Sequence, residues 1–146
     1  MYKRKKIASI LYGIIAVASL ILGSIYLFSN EFMPYHQEAL GTPWQDVEAR
    51  VQTLILALMT VAGGGWIALG FFNLTLILIP FRRQDQIWAS YLIPVSLLSF
   101  YLPTLMATLS VLENTPATPP WLAALVTCLV TVVALIIDSP WRINES

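Results

Sequence analysis

Charged residues in this chain come in bursts, and the stretches between the bursts are almost wholly apolar. Lys3, Arg4, Lys5 and Lys6 open the chain, a second group runs from Glu31 to Arg50, and Arg82 and Arg83 mark a third. Residues 7–28, 54–79, 87–112 and 121–137 contain no charged side chain. An α-helix rises ~1.5 Å per residue, so roughly 20 residues cross a hydrocarbon core. Three runs reach that length and the fourth nearly does. None alternates apolar and polar positions as a lipid-facing β-strand must. The pattern predicts an all-α, polytopic four-helix transmembrane bundle, one domain over 1–146, with spans at about 7–28, 52–79, 87–112 and 121–137. An outer loop, 30–51, and a short inner loop, 81–86, are the main connections.

The four basic residues ahead of the first run resemble the start of a secretory signal. A signal's apolar region is usually ~7–15 residues and ends at a small-x-small site. Here the run is longer and ends on Ser24-Ile25-Tyr26-Leu27-Phe28, so an uncleaved anchor is expected. Basic residues then orient the spans. Lys3, Arg4, Lys5, Lys6, Arg82, Arg83 and Arg142 fall on one side and Arg50 alone on the other, which predicts that both termini are cytoplasmic. Glu31, Glu38, Asp46, Glu48 and Glu113 lie outside. Trp88, Trp141 and Trp121 fall at span ends, where an amphipathic ring prefers the interface; Trp66 is placed mid-membrane.

Within the outer loop, Thr42-Pro43 followed by Gln45, Asp46 and Glu48 reads as a helix start. Trp44, Val47, Val51, Leu54, Ile55 and Leu58 continue at three-and-four spacing. Two outcomes are open: the second spanning helix begins near Pro43, or a separate short interfacial helix precedes a break near Arg50. Thr118-Pro119-Pro120 repeats the start signal before the fourth span, which hints at a two-plus-two duplication, and Ser139-Pro140 ends it.

Membrane helices associate by close packing, so small residues mark contact faces. The second span supplies Thr60, Gly64 and Ala68 at four-residue spacing, beside Gly63, Gly65 and Gly70; the first supplies Ser9, Gly13, Ala16 and Gly23. Gly63, Gly64, Ala68 and Gly70 predict either a plain packing face or a slot for a flat ligand, bounded by Trp66, Asn73 and Tyr101. Pro94 and Pro103 deprive the carbonyls of Ser90 and Ser99 of their helical partners. Ser90, Ser96, Ser99, Thr104 and Thr108 are candidates to satisfy freed groups.

Composition sharpens the class. Of 146 residues, 58% are hydrophobic and 11% charged, with zero net charge and one cysteine. Soluble domains carry about a quarter charged residues. A soluble globule, a disordered chain and a disulfide scaffold are thereby excluded, and nucleic acid is not an expected partner. Cys128 reads as a small apolar residue.

No ionisable side chain lies inside a span away from its ends, and Asn73 is the most polar residue there. That argues against a pump or ion-coupled transporter. No motif demands a cofactor or a metal. One polar cluster stands out in the outer loop: Glu31, Tyr35, His36, Glu38 and Trp44, with Asp46 and Glu48 nearby. His36-x-Glu38 offers two metal ligands, with Glu31 or Asp46 as a third. His36 alone offers a proton acceptor. The plainer reading is a polar loop anchored at the headgroups by Tyr35 and Trp44. Arg82-Arg83 reads as a topology signal that touches anionic headgroups.

The run Leu56-Ala57-Leu58-Met59 leading to Gly63-Gly64-Gly65-Trp66-Ile67-Ala68-Leu69-Gly70 resembles the second helix of DoxX-like and related four-helix bacterial membrane proteins. Phe32-Met33-Pro34-Tyr35-His36 and Ile79-Pro80-Phe81-Arg82-Arg83 add to the likeness. The resemblance implies a bacterial inner-membrane bundle and carries over no catalytic residue. The expected role is a non-enzymatic accessory or interaction subunit, partnered by the bilayer and by copies of itself or a larger membrane complex. The alternative is binding, carrying or sensing a lipophilic small molecule, a quinone or lipid, between the second and third spans. A third reading is an enzyme using His36 and the outer carboxylates.

Overall fold

The computed structural model describes residues 2–83 and 86–145. These form α1 (Tyr2–Leu27), α2 (Pro34–Leu40), a 3-10 turn (Trp44–Asp46), α3 (Ala49–Leu78), α4 (Ile87–Asn114), α5 (Trp121–Asp138) and a closing 3-10 segment (Pro140–Glu145), with no strand among the described residues. Four helices, α1, α3, α4 and α5, are long and apolar enough to cross a membrane. They close a ring in the order α1, α3, α4, α5, in which α1–α3 is the most extensive contact and α3–α4 the least. The protein is therefore an all-α, multi-pass membrane bundle. One end carries the start of α1, the closing 3-10 segment and the described part of the loop after α3; the other carries α2 and the loop between α4 and α5. The loop expected at 81–86 falls partly outside the described residues, at 84–85.

The outward faces are apolar. Ile7, Ile14, Ile21, Val61, Phe71, Met106 and Leu129 are all exposed, which in water would be an aggregation surface and in lipid is the correct solvent. Trp88 and Trp141 are exposed at the terminal end, whereas Trp66 is buried at mid-bundle.

Of the two outcomes open for the connecting region, the structure takes the second, a separate short turn and a break just before Arg50, and it adds an element that the sequence did not show. The spanning helix does not begin near Pro43. Residues 44–46 make a single 3-10 turn, and Val47 and Glu48 are extended (φ −76°, ψ 134° and φ −54°, ψ 135°), so α3 starts at Ala49. The Thr42 hydroxyl turns back to the Leu40 carbonyl at 3.5 Å instead of capping. The Trp44 carbonyl accepts from the Val47 amide at 3.2 Å and from the Gln52 side-chain amide at 2.7 Å, the latter in place of the Glu48 amide that a continuous helix would supply. The added element is α2, a helix inside the loop. Pro34 occupies its first turn, where a missing N–H costs nothing. Gly41, at φ 66°, ends it in the left-handed region while its N–H bonds the Gln37 carbonyl.

The α1–α3 seam is built from small residues, in a different register from the four-residue series Thr60, Gly64, Ala68. The buried positions on α3 are Met59, Gly63, Trp66, Gly70, Asn73, Leu76 and Ile77. Against them on α1 lie Ala16, Leu20, Gly23, Tyr26 and Leu27. A Cβ on Gly63 would lie 2.7 Å from the Leu27 amide nitrogen, one on Gly23 2.7 Å from the Gly63 carbonyl oxygen, and one on Gly70 2.8 Å from the Ala16 carbonyl oxygen. The backbones touch at three levels. Thr60 and Ala68 are exposed instead, and a Cβ on Gly64 or Gly13 would meet nothing within 4 Å. A residue step rotates a helix face by about 100°, so one position separates the internal seam from an outward stripe.

Helix α4 keeps both internal prolines. The hydroxyls near them do not reach the carbonyls of Ser90 and Ser99. Ser99 donates to Val95 O at 2.7 Å, Thr104 to Phe100 O at 2.9 Å and Thr108 to Thr104 O at 3.0 Å, each within its own helix. Ser96 is the exception that crosses helices, as shown below.

Candidate functional site

The three seam residues expected to bound a ligand slot are brought together inside the bundle and are already partnered. Asn73, fully buried, donates through Nδ2 to the Leu69 carbonyl at 2.9 Å and accepts from Ser96 Oγ at 2.9 Å. That pair is a polar tie between α3 and α4, where the helices touch least. Tyr101 pairs its hydroxyl with Ser19 Oγ at 2.8 Å, joining α4 to α1 across the interior. Trp66 packs its ring against Tyr26 (centroids 4.8 Å) and Phe100 (5.7 Å). Its indole N–H lies beside the Tyr101 hydroxyl but outside hydrogen-bonding geometry. The room left by Gly65 is filled from α4: a Cβ there would meet the Phe100 ring at 3.0 Å. The flat group lying on the glycine patch is the protein's own Phe100.

At the opposite end, the loop residues divide into two groups. Tyr35, His36 and Trp44 join one aromatic cluster, whose buried centre is Phe32. Phe32 meets Trp44 edge-on at 4.9 Å and His36 at 6.4 Å, and Tyr35 and His36 rings lie 4.2 Å apart. The Tyr35 hydroxyl bonds that of Tyr26, which fastens α2 to α1. Glu31 and Glu38 do not join. Glu31 is exposed, and Glu38 reaches across the bundle end to accept from the Thr118 amide at 3.1 Å and hydroxyl at 3.4 Å. Among the described residues no three of His, Cys, Asp and Glu converge on a point that could hold a metal ion. His36 Nδ1 accepts from the Met33 amide at 3.3 Å, which leaves the proton of the neutral ring on Nε2.

That arrangement carries a pH dependence. Burial pushes the His36 pKa below its ordinary value of 6.5, and the Tyr35 hydroxyl is pushed up by burial and by its Tyr26 bond. For His36 the unfolded segment binds the proton more readily than the folded one. Its contribution to local order is therefore present above 6.5 and lost as pH falls from there through the lowered value. Titrating the His36 ring by NMR should give a midpoint under 6.5, with amide protection of Gly41 falling in step. A midpoint at or above 6.5 contradicts the burial argument.

A groove of about 320 Å³ opens beside this cluster, between α1, α2 and α3, lined by Tyr26, His36, Leu40, Ile55, Leu58, Met59 and Ala62. Its walls are apolar apart from the tyrosine hydroxyl and the imidazole, and its volume falls at the lower end of the range for small-molecule sites. It lies one helix pair away from the α3–α4 seam where a ligand slot was expected.

One interior group was not singled out from sequence. Asp138, the last residue of α5, faces the Ser90 side chain and the Lys5 charge. Its Oδ2 is buried without a hydrogen-bond partner among the described residues, and so is the Tyr12 hydroxyl nearby. The available signal was an acid immediately after an uninterrupted apolar run and ahead of Ser139-Pro140, a position that read as the edge of the membrane. No family model, no curated protein and no solved structure matches the chain.

Proposed function

We propose that this protein is a non-enzymatic accessory or interaction subunit of a bacterial inner membrane, with both termini cytoplasmic, as the DoxX-like pattern of α3 and the distribution of basic residues suggest. The observation that carries the reading is the division of labour among the glycines of α3. Gly63 and Gly70 are used internally against α1, whereas Gly64 looks outward over open space between exposed Thr60 and Ala68. A stripe of small residues facing lipid lets a second helix approach its backbone closely. Copies of this chain or another membrane subunit are the proposed occupants.

The test is native mass spectrometry of the protein extracted gently from its membrane, with Gly64→Leu alongside. The expected wild type carries a second copy or a further subunit, and Gly64→Leu is a monomer of unchanged helicity. Unchanged assembly in Gly64→Leu, or a bare wild-type monomer, rejects the reading. The second reading, a carrier or sensor of a lipophile, is favoured by the apolar groove beside His36 and Tyr26. A monomer retaining one stoichiometric small molecule, displaced in Leu58→Trp, is its signature in the same spectrum.

A further inference from the structure

Zero net charge conceals a polar molecule. Seven of eight basic residues (Lys3, Arg4, Lys5, Lys6, Arg82, Arg83 and Arg142) sit at the terminal end, and five of eight acidic ones (Glu31, Glu38, Asp46, Glu48 and Glu113) at the other. Of the remaining acids, Asp85 lies outside the described residues, and Asp138 and Glu145 leave the terminal end with a clear cationic excess. Of these Asp138 turns one oxygen into the bundle.

The fold gathers two of the basic segments that the sequence keeps far apart. Lys5 Nζ donates to the Arg83 carbonyl at 3.2 Å and lies 5.1 Å over the Phe81 ring. The first turn of α1 is thereby held against the loop after α3. Lys6, Arg82 and Arg83 remain exposed. The one ion pair among the described residues, Arg50 with Glu48, is at the far end.

Directly below these cations the surface turns apolar: Ile7 is exposed next to Lys6, and Leu78 and Ile79 are exposed just ahead of Arg82. Trp88 and Trp141, both exposed, place the headgroup boundary at this end. We infer that the junction of the α1 first turn with the loop after α3 binds an anionic phospholipid, its phosphate held by Lys5, Lys6, Arg82 and Arg83 and its acyl chains lying on Ile7, Leu78 and Ile79. A free phosphate would use the cations and leave the apolar surface beneath them without a role. A cluster of basic side chains above an apolar surface at headgroup depth has the chemistry to select an acidic lipid.

The purified full chain in detergent is titrated with phosphatidylglycerol or phosphatidylcholine and bound lipid counted by native mass spectrometry. Phosphatidylglycerol should be retained preferentially, and the preference should fall as salt rises. The double variant Arg82→Gln/Arg83→Gln should bind it roughly thirtyfold more weakly, since each surface cation contributes about a factor of five. Glu31→Gln/Glu48→Gln, at the other end, should leave the preference unchanged. Equal retention of the two lipids, a salt-independent preference, or an unaffected Arg82/Arg83 variant overturns the proposal. Displacement of the lipid by millimolar inorganic phosphate would assign the site to the free anion instead and overturn the lipid. Should the double variant not fold, the wild-type lipid preference and its salt dependence still decide.

Discussion

Gly63→Leu is expected to destabilise the folded bundle strongly, whereas Gly64→Leu, one residue on, leaves the monomer intact. At Gly63 even the first added carbon would sit 2.7 Å from the Leu27 nitrogen, 2.8 Å from the Gly23 carbonyl oxygen and 3.1 Å from Tyr26 Cβ. Two of these are backbone atoms, which cannot rotate away as a side chain would. The two helices must separate along their length, and the contacts of Gly23 and Gly70 are lost with them. Overpacking a core typically costs about 1–3 kcal/mol, and here the displaced partner is a whole helix, so the upper end of that range or beyond is expected. At Gly64 nothing lies within 4 Å. Unfolding both variants in lipid–detergent mixtures with rising SDS, read by circular dichroism, checks the contrast. Equal stability of the pair would mean that the α1–α3 seam is not where this structure puts it.

Phe81→Ala should be the most damaging single truncation at the terminal end, with a loss of about 3–5 kcal/mol. Phe81 has no exposed surface although it lies beyond the end of α3. Its amide bonds the Leu76 carbonyl at 2.9 Å, which turns the chain inward. Its ring meets Tyr12 edge-on at 6.0 Å, with the Lys5 ammonium over its face. Truncation removes the platform under Lys5, empties a packed space next to Tyr12, and releases the loop that presents Arg82 and Arg83. SDS unfolding reports the stability, and phosphatidylglycerol retention should fall together with it. Phe81→Leu, which keeps most of the volume, should recover much of the stability and little of the cation–ring contact. If Phe81→Ala unfolds like the wild type, the buried ring is not anchoring the loop.

The legibility of the sequence was uneven. The end of α5 at Asp138 and the start at Trp121 followed from Ser139-Pro140 and Pro119-Pro120, because proline restricts the backbone locally. The same logic left the start of α3 undecided. Thr42-Pro43 is a competent local signal, but Gln52 captures the Trp44 carbonyl and Phe32 meets the Trp44 ring edge-on, and those tertiary contacts favour a single turn followed by a break. Helix α2 is only seven residues long, too short to show a period. The Glu38–Thr118 contact spans 80 positions in the chain, and no local pattern encodes it.

Sequence alone decided that this is a four-span helical membrane protein with one cationic end, since transfer into hydrocarbon is additive along a segment and needs no knowledge of neighbours. Tertiary structure decided how each helix is rotated: that Gly63 and not Gly64 faces α1, that Phe100 covers Gly65, and that Tyr101, Asn73 and Asp138 turn inward. The reason is the solvent. A spanning helix is apolar on every side, so water cannot orient it as it orients an amphipathic helix. Backbone approach and a few internal hydrogen bonds choose the face instead, and they exist only once the partner helix is in place.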